Sequence, residues 1–201
     1  MTLLATELVF PPGGNPFIVF AADRRISVDG ERDSERPKIF AIPQHRAGIG
    51  YFGLAHVHPN GQRVTMDRWI AEFLARRSGT RTLAELAASL ASELQRDVLP
   101  QNRRTFVSGF HLAGLGDDGA PEFWFIRNVE NDRTTVFGRY DRRRDFGPDN
   151  SPPSVAAGHV IFRNGDIRAH VAAWERMGRP VDTFVITAQG VEIVTHATLN
   201  A

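Results

Sequence analysis

The chain has 201 residues, no cysteine, and 24 lysine and arginine residues against 23 aspartate and glutamate residues, for a net charge of +1. That length suits one domain, 1–201, with a sizeable core, and the near-balanced charge gives no general attraction to nucleic acid or an acidic membrane surface. Absence of cysteine removes disulfides, thiolate metal sites and cysteine nucleophiles. No apolar run approaches the roughly 20 residues that span a bilayer, and the N-terminus has no basic segment followed by a long apolar stretch, so the expected setting is the cytoplasm.

Residues 3–10 (LLATELVF) and 17–22 (FIVFAA) are apolar, β-branched or aromatic runs joined by PPGGNP, which predicts a β-hairpin. A second pair of strands is predicted at 38–42 (KIFAI) and 46–52 (RAGIGYF), so the chain is expected to open with four strands. The period then becomes helical. Met66, Trp69, Ile70, Phe73 and Leu74 share one face. A second helix is predicted from Thr82, where T-L-A-E offers a capping box with Glu85, up to Pro100. Strand signals resume at 105–115, 122–128 and 133–138, separated by turn residues, which predicts a β-meander. A helix over 165–177 and strands at 181–187 and 191–195 complete the pattern, with 145–154 (DFGPDNSPPS) as a loop. Strands, two helices, strands, a helix and strands lack strict βαβ alternation and suit an α+β fold of two antiparallel sheets covered by helices.

One compositional feature stands out. Of the 24 basic residues one is a lysine, Lys38 in SERPKIF (34–40), and the others are arginine. Arginine stays protonated at any working pH, whereas a lysine amine can be desolvated, tuned and used in proton chemistry. The competing explanation is chance, since most lysines only solvate a surface.

The opening hairpin, then VFAADRR, PKIF and IGYFGLAHV, followed by two helices, resembles the proteasome β-type subunits of the N-terminal nucleophile hydrolase superfamily. The resemblance covers residues 2 to about 128 in order and spacing, and it implies an αββα four-layer sandwich. It also implies an N-terminal threonine, Thr2, as nucleophile once Met1 is removed, with the threonine's own α-amine as base. Asp23 and Lys38 then correspond to the aspartate and lysine that tune that amine, Arg25 to a supporting arginine, and Gly53 to the glycine whose N–H forms the oxyanion hole. The implied activity is peptide-bond hydrolysis inside a self-assembled ring, on peptides or unfolded proteins, with an ATP-dependent unfoldase as a possible partner and no cofactor. A non-peptidase amidase of the same superfamily and an inactive ring subunit are the alternatives.

Beyond residue 128 the resemblance loosens. Where the family carries a G-S-G-like segment this chain reads S-V-A-A-G-H, in which Gly158 aligns and Ser154 and His159 lie near without matching. The family's later aspartate has only Glu175 as an imperfect counterpart. Other chemistry has less support. His56 and His58 in AHVHP lack a third ligand at metal-site spacing. The run at 139–145 (RYDRRRD) is diluted by Asp141 and Asp145 and suits a solvated edge, and Ser108 and Ser154 have no G-x-S-x-G setting.

Overall fold

β1 (Leu4–Val9) and β2 (Phe17–Asp23) form the expected antiparallel hairpin, with Leu4 opposite Ala22 and Val9 opposite Phe17. The protein is seen here as a computed structural model, which describes residues 3–28, 31–105, 108–131, 134–141, 159–163, 165 and 167–194. Before the next predicted strand the chain makes a two-stranded ribbon, β3 (Arg25–Val28) with β4 (Glu31–Glu35), which the sequence reading does not anticipate. β5 (Ile39–Ile42) and β6 (Ala47–Phe52) follow as predicted, and a second small ribbon joins β7 (His56–Val57) to β8 (Val64–Thr65). The expected four opening strands are therefore eight, the additions being short or polar.

α1 (Met66–Arg76) buries Met66, Trp69, Ile70 and Phe73, the face that the periodicity predicts. Removing each large side chain from water contributes about 1.5–3 kcal/mol. α2 (Leu83–Asp97) starts from Thr82, whose hydroxyl accepts the Glu85 N–H at 3.2 Å. Glu85 reaches back to the Arg81 N–H, 3.1 Å away, so this is a capping box displaced by one residue on its return arm. Pro100 ends α2 and also opens a short helix, α3 (Pro100–Thr105), so Thr105 closes a helix where a strand was expected to begin.

The meander is β9 (Gly109–Leu115), β10 (Pro121–Asn131) and β11 (Thr134–Asp141), antiparallel throughout. Next comes a strand missing from the sequence reading, β12 (His159–Arg163), then α4 (Ile167–Arg176), β13 (Val181–Thr187) and β14 (Gly190–Ile193). The predicted loop at 145–154 lies outside the described residues.

The result is a mixed α+β protein with four helices among the described residues. One five-stranded sheet has the order β12-β1-β2-β13-β14, the other β11-β10-β9-β6-β5. The first sheet corrects the expectation of purely antiparallel pairing, because β1 and β12 run parallel with Leu4 opposite His159. Parallel partners need a long crossover, and here residues 10–158 intervene between them.

Apolar residues from both sheets meet in one cluster that includes Leu4, Leu8, Phe20, Phe52, Phe125 and Phe184. Gly48 and Gly50 on β6 face this cluster, where a Cβ would collide with the Phe184 ring and with Leu4 respectively. Glycine at both positions lets the strands approach closely. A second cluster joins the other face of β6, β9 and β10 to α1 and α2, through residues such as Ile49, Phe110, Ile126, Phe73 and Leu90. A third sets Leu3, Ala5, Val19 and Ala21 against Ile167, Val171 and Trp174 of α4. β1 and β2 are thus covered on both faces, which explains why they read as continuous apolar runs rather than alternating ones.

Candidate functional site at the Asp23 rim

Strand ends from both sheets converge on one rim. In the first sheet Asp23 ends β2 opposite Val181, which starts β13, while Leu3 immediately precedes β1. In the second, Lys38 immediately precedes β5 and Gly53 immediately follows β6; the Tyr51 N–H donates to the Lys38 carbonyl at 3.0 Å, which fixes the two ends side by side.

Asp23 organises what meets there. Its Oδ1 accepts the Leu3 N–H at 2.7 Å, and its own N–H donates to the Leu3 carbonyl at 3.1 Å, so the start of the chain is clamped twice. The same Oδ1 accepts from Lys38 Nζ at 2.8 Å, and Oδ2 accepts from Arg179 Nη1 at 2.9 Å. Lys38 Nζ donates as well to the Arg25 carbonyl. The Asp23 and Lys38 side chains have no exposed surface, and Arg179 keeps 21% of its own. A buried carboxylate is tolerated when both oxygens are occupied by charged or amide donors, as here.

Burial pushes the Lys38 amine below its ordinary value of 10.5; the charge of Asp23 and its hydrogen bond oppose that, and the Arg179 guanidinium adds to the lowering. The lone lysine is therefore a desolvated, hydrogen-bonded amine whose proton is held less firmly than in water, which a surface lysine would not be.

Arg179 is the member of this cluster that sequence reading misses. It is placed by the end of α4. The Gly178 N–H donates to Glu175 at 2.8 Å and the Arg179 N–H to Trp174 at 3.1 Å, with Gly178 at φ 66°, the two bonds and left-handed residue of a Schellman stop. Pro180 follows, and its carbonyl accepts the Arg24 N–H at 2.9 Å. Arg25 holds the same turn from the other side, Nη2 donating to the Gly178 carbonyl. The sequence signal was present in RMGRP (176–180), a glycine and a proline just past a helix, but it marks only a stop and says nothing of where the arginine points.

Of the residues singled out from sequence, Asp23, Lys38 and Arg25 are brought together, and Gly53 lies exposed at the same rim with φ 91°, a backbone region in which a side chain is disfavoured. Thr2 and Gly158 lie outside the described residues, although their chain neighbours Leu3, just before β1, and His159, at the start of β12, flank the rim. Glu175 is exposed on α4. Away from the rim, His56 Nδ1 meets Arg63 Nη2 at 3.2 Å, and no group of three possible metal ligands occurs among the described residues. The side chains of 139–145 are outside the described set. Among the described residues no helix is long and apolar enough to cross a membrane. A scan against protein-family models and a search of curated proteins both return no match.

Proposed function

We propose that this chain is an N-terminal threonine hydrolase that cleaves peptide bonds, built as a proteasome-β-like αββα four-layer sandwich that assembles into rings in the cytoplasm. The observation that carries the reading is the double clamp of Leu3 on Asp23, one bond to its carboxylate and one from its backbone N–H, with the same carboxylate binding the buried Lys38. Leu3 directly follows the proposed nucleophile in the chain, so its fastening to the residue that also binds the lysine supports pairing Thr2 with Lys38. The three apolar clusters, one between the sheets and one on the helix side of each, support the layering.

In this mechanism Thr2 Oγ1 attacks the scissile carbonyl carbon while its proton passes to the Thr2 α-amine. Lys38 disfavours protonation of that amine beforehand and assists the transfer. The carbonyl oxygen takes up negative charge and accepts the Gly53 N–H. The amine product departs with the proton, leaving an ester on Thr2; water then attacks the ester, the α-amine taking its proton, and the acid product leaves. Asp23 takes no proton and holds Lys38 and the chain start in register.

The experiment is intact mass followed by labelling. Thr2 must be the N-terminal residue of the mature chain, and a threonine-directed electrophile must add one equivalent per chain, with Thr2→Ala adding none. A chain that keeps a residue ahead of Thr2, or one that begins with Thr2 and takes no label, sinks the peptidase reading. Native mass tests the ring, and a monomer overturns that part alone.

A further inference from the structure

The rim holds a charge imbalance that the hydrolase reading does not use. Lys38 and Arg179 both lean on Asp23, one on each oxygen, so two cations share one buried carboxylate. A simple ion pair would need only one. The second cation is delivered from the far end of the chain, at the close of α4, and two independent fastenings keep it there: the Schellman stop at Gly178 and the Arg25 guanidinium on the Gly178 carbonyl.

Resting on the hydrolase reading, we infer that Arg179 is a positioning residue of the site: it occupies the outer oxygen of Asp23 and supplies the second positive charge that lets Lys38 give up its proton without unbalancing the cluster. With both cations charged the trio carries +1, and with Lys38 neutral it carries none, because Arg179 alone then balances Asp23. Without Arg179 a neutral Lys38 would leave the buried carboxylate uncompensated, so the lysine would keep its proton. Arginine suits this task because it does not itself deprotonate. The charged groups acting on Lys38 among the described residues are Asp23 from β2 and Arg179 from the turn before β13; β3 contributes the Arg25 carbonyl, since the Arg25 guanidinium is turned toward Gly178. Arg25, assigned a supporting role from sequence, thus acts through Arg179.

Because Lys38 is the only lysine in the chain, its amine can be watched without interference. Lysine carrying 13C at Cε, incorporated biosynthetically into the full chain, gives one signal whose pH titration reports Lys38 directly, whether or not the protein cleaves anything. The expected result is a midpoint below 10.5 in the unaltered protein, an upward shift in Arg179→Gln, and recovery in Arg179→Lys. If the chain is active, the acid limb of its pH–rate profile moves up with the same variant. An unaltered protein that titrates at or above 10.5 overturns the proposal before any substitution is made. An unmoved midpoint in Arg179→Gln also overturns it, reducing Arg179 to a tether. Should Arg179→Gln fail to fold, Arg25→Met, which frees the turn but leaves the Arg179 charge in the chain, must still raise the midpoint; no rise refutes the assignment. Absence of peptidase activity with the expected titration would sink the hydrolase reading and leave the role of Arg179 standing.

Discussion

Glu93 and Asp23 are both buried carboxylates met by arginines, and they differ in what else they hold. Glu93 on α2 is 5% exposed in its side chain and is met by Arg76, Arg77 and Arg96, whose own side chains are 48%, 42% and 65% exposed. Asp23 is met by Arg179 and by Lys38, and the lysine has no exposure at all. Around Glu93 every cation stays hydrated, so the network fastens α1 to α2 without forcing a charge out of water. Around Asp23 one cation has lost its solvent, and the cost of that loss is what makes its proton available. Buried ion pairs are weak sources of stability, and a titratable amine held in one marks a candidate for proton chemistry.

Breaking each cluster at its carboxylate is the most direct way to sharpen that contrast. Asp23→Asn leaves Lys38 and Arg179 uncompensated and releases Leu3, and should cost about 3–5 kcal/mol in chemical denaturation. Lys38→Arg keeps the charge but loses the tunable amine; the fold should survive while threonine labelling and peptide cleavage fall by about 100-fold or more. A variant with full activity would make the lone lysine incidental. Glu93→Gln should cost only about 1–2 kcal/mol, because its arginines can turn to water.

The pH dependences of stability separate the two regions by window rather than by sign, since both carboxyl and amine bind their protons less tightly when folded and stability climbs with pH in each case. Burial raises the Glu93 carboxyl, but hydrogen bonds from Arg77 and Arg76 outweigh it and hold it below its ordinary 4.5. Its contribution is therefore complete above 4.5 and is lost as pH falls through the lower folded value. Lys38 binds its proton less tightly when folded, so stability should climb as pH approaches 10.5 and level beyond it; Lys38→Met should remove that climb. The smallest expected effect is at Tyr51, whose buried hydroxyl has no partner among the described residues. Burial raises its ionisation above the ordinary 10.0, so the unfolded chain ionises first and stability falls above that pH. Tyr51→Phe should remove the fall and shift stability at neutral pH by less than about 1 kcal/mol.

What was legible in the sequence follows from which forces write a local pattern. β1, β2, α1, α2 and the meander have apolar runs or helical spacing because each buries a face, and they appear close to where they were expected. β3 and β4 read RISV and ERDSE, with little apolar content to alternate, and their pairing leaves no such signature. β12 is five residues long, and its partner β1 lies at the opposite end of the chain. Lys38 could be singled out because it is compositionally unique. Arg179 could not, since it is one arginine among many and meets Asp23 across 156 residues. Long-range charge placement is set by how helices stop and strands register, and neither prints the identity of the residue that it delivers.

The parallel pairing of β1 with β12 has a temporal consequence. One flank of β1 is filled by the nearby β2, but the other waits until residues 159–163 have emerged, and Arg179 emerges later still. Synthesis runs at about 5–20 residues per second, so on the proposed reading the nascent chain carries Thr2, Asp23 and Lys38 well before it has the Arg179 charge. On that reading a protein that cuts peptides would gain the second charge of its site only once residue 179 has been made.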